Sequence, residues 1–202
     1  MITIYGDPIS GNCLKVKWTA ERLAIPFTWI DVNVVKRETR TDSFLAMNPA
    51  GQVPTIVLED GRPLAQSNAI ILHLAEGSAL IPSDSYQRAK MLEWMFWEQY
   101  NHEPTLAVVR FQMKYLGRPR DEVDPALIAK AEAALALMER ALADRTIAGR
   151  KFLVGDTLTL ADVALVAYTR FAADGGFVLA DYPAVEAWVE RVETELPIRD
   201  PR

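Results

Sequence analysis

Residues 48–67 read Asn48-Pro49-Ala50-Gly51-Gln52-Val53-Pro54-Thr55-Ile56-Val57-Leu58-Glu59-Asp60-Gly61-Arg62-Pro63-Leu64-Ala65-Gln66-Ser67. The stretch predicts a loop, a strand, a tight turn, a strand and the start of a helix. Pro54 stands just before the apolar run 55–58. A residue with no N–H to give a ladder belongs at the start of a strand. Residues 59–62, with Asp60-Gly61 at their centre, predict the hairpin turn. Gln66-Ser67 opens a helix, with Ser67 as the expected cap. A short strand edge and a helix N-terminus then stand side by side, and both offer unpaired backbone groups. Such a pair suits a small, extended, peptide-like ligand carrying carboxylates. Taken singly, each piece has a plainer reading as loop chemistry or an ordinary cap. Their order and spacing together carry the signal.

Upstream, Ile2-Thr3-Ile4-Tyr5 alternates as a short strand, and 6–11 is a loop. Leu14, Trp18 and Leu23 fall at helical spacing from Asn12 to about Ala24, and Ile25-Pro26 closes that helix. Residues 27–32 read as a second strand, and 44–47 as a short helix capped by Thr41 or Asp42. The helix opened at 67 runs to about Glu76. The order βαβαββα is compact α/β. Residues 78–85, with Pro82 and three serines, read as a linker between a first domain (1–77) and a second (86–202).

The second domain reads as all helix. Asp84 with Gln87 resembles a capping box, and the helix it starts runs to about Leu116. Pro104 lies inside that helix and predicts a kink or break. Asp124-Pro125 opens an Ala/Leu-rich helix to about Leu142. Residues 152–156 predict a buried turn. Thr159 and Asp162 form a capping box with a structural role, and Pro183 starts a last helix to about Glu193.

The 202 residues, half of them hydrophobic, allow one large domain or two small ones. A net charge of −5 argues against nucleic acid or an anionic membrane as partner. No apolar run is long enough to span a bilayer, and 1–5 carry no basic leader segment, so a cytoplasmic protein is the simplest reading. Cys13 is the single cysteine, which excludes an internal disulfide and a dithiol pair. His73 and His102 lack metal-ligand spacing, so no metal is expected.

Three motifs carry a family resemblance. The first is Asn48-Pro49-Ala50-Gly51-Gln52-Val53-Pro54 followed by a hairpin and Gln66-Ser67. The second is Gly155-Asp156-Thr157-Leu158-Thr159-Leu160-Ala161-Asp162. The third is Ser10-Gly11-Asn12-Cys13-Leu14-Lys15-Val16. With these the chain resembles the cytosolic glutathione S-transferases, and in the third motif their serine-using theta and zeta members, as a bacterial protein would. The resemblance implies a thioredoxin-like N-terminal domain and an all-α C-terminal domain. It implies glutathione as co-substrate, a homodimer, and conjugation of glutathione to an apolar electrophile, a detoxification chemistry.

Under that resemblance Gln66 and Ser67 hold the γ-glutamyl end, Ser67 by its hydroxyl and backbone N–H at a positive helix terminus. Val53, before a cis Pro54, offers its N–H and C=O to the cysteinyl backbone, and Gln52 meets the glycyl carboxylate. Glutathione's thiol ionises near 8.5, and a helix N-terminus with a hydroxyl donor lowers that value. Ser10 matches the thiolate-stabilising serine, and Asn12 is a second donor. Cys13 turns into the first helix's packing, and Tyr5 belongs to the core. The electrophile pocket is expected between the domains, walled by Phe111 and Tyr115. Bulky Trp94, Phe96 and Trp97 suit a dimer face. Two other readings stay open: a redox or isomerising glutathione enzyme using Cys13, and a non-enzymatic glutathione binder.

Overall fold

The computed structural model describes residues 1–147 and 150–198. The last four residues of the expected helical domain, 199–202, lie outside the described residues. The chain forms two compact units, Met1–Ser78 and Ala79–Arg202.

The first unit runs β1 (Ile2–Gly6), α1 (Gly11–Arg22), β2 (Phe27–Asp31), α2 (Asp42–Met47), β3 (Thr55–Val57), β4 (Pro63–Ala65) and α3 (Ser67–Leu74). Its four-stranded sheet has the order β2-β1-β3-β4. β1 pairs parallel with β2, the pairing that a helical crossover makes possible, and antiparallel with β3, where Ile4 faces Ile56. β3 and β4 form the hairpin, with Ile56 opposite Leu64. This is a thioredoxin-like domain with a mixed sheet. Ile2 and Ile4 are buried on alternate positions of β1, and Leu14, Val16 and Trp18 of α1 join Ile70 and Ile71 of α3 in the core. At Gly6 a β-carbon would overlap the Trp29 ring and crowd Cys13, so β1 meets α1 without a side chain between them. Tyr5, half-buried, sits edge-on to Phe44 at 6.4 Å.

α2 is capped by Thr41, whose hydroxyl accepts from the Phe44 N–H. Ser67 is not the cap of α3. Gln66 takes that place with φ +72°, a value no helix residue adopts, and the helix starts at Ser67, one residue earlier than a Ser67 cap would place it.

The second unit is helical: α4 (Ser85–Trp97), α5 (Glu103–Arg110), α6 (Pro125–Ile147), α7 (Leu160–Thr169) and α8 (Pro183–Glu195), with short turns between. Asp84 caps α4 by accepting the Gln87 N–H. As expected, the α-helix is interrupted at Pro104, which stands in the first turn of α5. The interruption is a π turn at Glu98–His102, where the Glu103 N–H reaches five residues back to the Glu98 carbonyl. A second π turn, Phe111–Tyr115, precedes the stop at Gly117, which has φ +64°. α6 extends beyond the expected Leu142 to Ile147. Leu106, Val109, Ala131, Leu135, Tyr168 and Phe177 pack as one core cluster. Trp94, expected on an outer face, is buried edge-on to Trp97, whereas Phe96 is exposed. Every residue of α7 is buried. Its start is closed by the Thr159–Asp162 box, and Asp162 also accepts from the Leu153 N–H and Trp188 Nε1, each at 2.9 Å. No described helix is long and apolar enough to cross a membrane.

Candidate functional site

The first unit brings two helix starts and a loop to one place. Ser10 caps α1 in an extended conformation, and its carbonyl accepts from Cys13 and Leu14. Its hydroxyl makes no capping bond to the helix. The Ser10 side chain instead reaches the Cys13 thiol. Cys13 is fully buried and also receives the Asp7 N–H at 3.3 Å. Burial pushes the Cys13 thiol up to about 11, against smaller downward pulls from the Ser10 hydroxyl and the Asp7 N–H. Cys13 is therefore a neutral packing group at neutral pH.

Asn12 stands in the first turn of α1, and its Oδ1 accepts from the Ser67 hydroxyl at 3.1 Å and from Lys15 Nζ at 2.8 Å. This ties the starts of α1 and α3 together across 55 residues of chain. The Ser67 hydroxyl proton is thus used on Asn12, and the backbone N–H of Ser67 stands at the positive end of α3. Gln66 is exposed, and its left-handed φ is held by the β4 ladder on one side and by the Ile70 N–H on its carbonyl on the other. A non-glycine residue in that region carries backbone strain of the kind that clusters at ligand sites.

The loop before β3 is built on Asn48, which is buried. Its Nδ2 donates to the Gln52 carbonyl at 2.8 Å and to Thr55 Oγ1 at 3.2 Å, and its Oδ1 accepts the Ala50 N–H. Thr55 Oγ1 donates to the same Gln52 carbonyl. The Val53-Pro54 peptide is cis, as expected. No hydrogen bond joins the Val53 N–H or C=O to any other described residue. Gln52 is exposed, and its backbone rather than its side chain is held.

A family model described as "Glutathione S-transferase, N-terminal domain" matches residues 9–76, and one described as "Glutathione S-transferase, C-terminal domain" matches 100–195. A crystal structure of a glutathione S-transferase from Pseudomonas fluorescens is 42% identical, with 96% of this chain and 94% of that chain covered and a TM-score of 0.90. The chain belongs to the glutathione S-transferase family. Curated relatives include glutathione S-transferase theta-1 of Mus musculus, 27% identical over 96% of this chain and 82% of the mouse protein. Another is the disulfide-bond oxidoreductase YfcG of Escherichia coli, 29% identical over 96% of this chain and 91% of that protein.

Within this family member, the sequence-based site divides into three parts. Asn12 and Ser67 are in contact, and Ser10 is tied to the same helix start through Cys13. Gln52, Val53 and Pro54 lie on the Asn48-held loop, and Gln66 on the cap of α3. Phe111 and Tyr115 belong to the second unit, on its π turn, with ring centroids 5.8 Å apart and the Arg110 guanidinium 5.3 Å from the Tyr115 ring. His73 is exposed, and His102 is buried with Nε2 on Thr169 Oγ1 at 2.9 Å. No metal-binding group occurs among the described residues. Lys15 and Asn48 were missed from sequence. A lysine between buried Leu14 and Val16 is out of place on an apolar face, and that is the signal that could have found it.

Proposed function

We propose that this chain is a glutathione transferase that binds glutathione in its first unit, supports the thiolate, and conjugates it to an apolar electrophile. The carrying observation is the meeting of Asn12 and Ser67 at two helix starts, beside a Val53 whose backbone groups are unpaired among the described residues. Val53 takes the cysteinyl main chain as a short strand would. The start of α3, with Ser67 and Gln66, takes the γ-glutamyl carboxylate, and Gln52 meets the glycyl carboxylate. Ser10 donates to the sulfur and Asn12 is the second donor. Both are neutral, so the thiolate's charge is balanced by hydrogen bonds and the dipole of α1.

Phe111 and Tyr115 are our candidates for the apolar contact with the electrophile. The protein works as a cytoplasmic homodimer in this reading. Phe96 and Tyr100, 73% and 84% exposed one turn apart, support such an interface. The relative named as a disulfide-bond oxidoreductase favours one second reading, glutathione-dependent disulfide reduction. There, two glutathione thiols become one disulfide as a substrate disulfide becomes two thiols. Buried Cys13 supports glutathione, not the protein, as the thiol in either case.

Glutathione titration followed by turnover on an activated aryl chloride, a peroxide and a mixed disulfide tests this. Saturable binding with aryl conjugation is the expected result. Turnover of the mixed disulfide alone selects the second reading, and binding without any turnover selects a binding protein. Sedimentation at micromolar concentration is expected to give a dimer.

A further inference from the structure

Arg110 ends α5 and leads into the π turn Phe111–Tyr115, with a relative exposure of 6%. A guanidinium so far from water is costly unless its charge is answered. Its Nε donates to Asp174 Oδ2 at 3.0 Å. Lys114, inside the π turn, reaches the other oxygen of that carboxylate, also at 3.0 Å. Asp174 stands in the short turn Ala172–Gly175 after α7, so one carboxylate on that turn holds residues at both ends of the π turn.

The same guanidinium lies 4.2 Å from the centre of the Phe171 ring and 5.3 Å from that of Tyr115. Phe171 takes the Arg170 guanidinium as well, at 4.4 Å, and Arg170 Nε donates to Glu193 of α8 at 2.8 Å. Ring faces attract a planar, delocalised cation, and an ammonium on a flexible stem offers no such plane. A tyrosine side chain on a helix has more than one allowed rotamer. Contact with a cation that Asp174 and Phe171 already fix favours one of them. In that rotamer Tyr115 is half-buried, with its ring 5.8 Å from Phe111 and tilted by 37°, and Phe111 is 42% exposed.

We infer that Arg110 is a positioning residue for the electrophile: anchored on Asp174, its guanidinium holds the Tyr115 ring beside Phe111, and this tilted pair of rings selects flat aromatic electrophiles over small alkyl ones. This rests on the functional reading above, in which Phe111 and Tyr115 make the apolar contact. Arg110 has almost no exposed surface to offer a substrate and acts through Tyr115.

The test is steady-state kinetics on the full chain with glutathione and two electrophiles, an activated aryl chloride and methyl iodide. In Arg110→Met the KM for the aryl chloride is expected to rise roughly three- to tenfold, with the KM for glutathione and the rate on methyl iodide changed less than about twofold. A merely structural loss would lower both rates together. Arg110→Lys keeps a cation for Asp174 without the planar face, so it is expected to show the same selective rise, and it repeats the test should the methionine variant not fold. In a Tyr115→Ala background, Arg110→Met is expected to have no further effect on the aryl KM, because its route is already cut. An unchanged aryl KM in Arg110→Met, full recovery in Arg110→Lys, or equal losses in both backgrounds overturns the inference. A wild type without aryl conjugation, or a Tyr115→Ala variant with the wild-type aryl KM, overturns the functional reading instead, and this inference falls with it.

Discussion

Two kinds of helix start stand in this molecule. At the start of α7, Thr159 and Asp162 satisfy each other, and Asp162 takes the Leu153 N–H and the Trp188 indole as well. The site is fully buried, and Asp162 is the acceptor for the Leu153 and Thr159 N–H groups, the Thr159 hydroxyl and the Trp188 indole. At the starts of α1 and α3, Ser10 and Gln66 make no side-chain capping bond to the helices they precede. Both kinds use small polar residues before an apolar helix. One closes its donors and holds the fold, and the other makes no side-chain cap, the kind of start that in the function proposed above receives an acidic, peptide-like ligand. The difference teaches that residue type alone does not separate a structural cap from an unfilled one; what the neighbouring loop and α8 donate to it does.

The largest effect is expected at the buried start of α7. Asp162→Ala leaves the Leu153 N–H, the Trp188 indole and the Thr159 N–H without their acceptor. Unfolding free energy is expected to fall by about 3–5 kcal/mol, which lowers Tm by roughly 6–20 °C. A loss under about 1 kcal/mol in a denaturant melt would remove the claim that this start is structural.

Cys13 sharpens the boundary between the two kinds. Its thiol is raised from 9.0 to about 11 by burial. The folded state therefore holds the proton more tightly than the unfolded chain. The stability from the buried neutral thiol is complete below pH 9 and is lost as pH rises through about 11. The span corresponds to about 2–3 kcal/mol. Subtracting the stability–pH curve of Cys13→Ala from that of the wild type should show this alkaline loss, and a flat difference would mean the thiol is not held as described. Conjugation should persist in Cys13→Ala.

Thr159→Ala carries the smallest effect. It removes one member of a box whose other bonds remain, so a loss of about 1 kcal/mol is expected in the same melt. Glutathione turnover per folded molecule should be unchanged, and a selective loss of turnover would place α7 in the chemistry.

Much of the fold was legible because its signals are local. Pro54 before an apolar run, Asp60-Gly61, and Thr159 with Asp162 each act within a few residues, and each produced the element it predicts. Element ends were less legible. Ser67 looked like a cap from its type, but the left-handed φ of Gln66 is set by the hairpin's geometry and moved the start by one residue. Pro104 marked a break in the long helix, but not its form: a π turn supplies a carbonyl spacing that no propensity scale reports. Trp94 and Trp97 share a type and a helix with exposed Phe96, and only packing separates them. Of the candidate site, residue types at loop and cap positions were readable. The Asn12–Ser67 contact was not, because it joins residues 55 apart. Lys15 was passed over because it stands among residues that pattern as core.

The central claim is that the open start of α1 serves a ligand's thiolate. The most direct measurement is the thiolate absorbance of bound glutathione across pH, in the wild type and in Ser10→Ala. The account predicts a wild-type midpoint below the free thiol's value of about 8.5. It predicts a Ser10→Ala midpoint about one to two pH units higher, as one charge-assisted hydrogen bond would give, with the unfolding midpoint nearly unchanged. Coincident titration curves, with Ser10→Ala instead lowering stability, would contradict it and return Ser10 to the role of a simple cap.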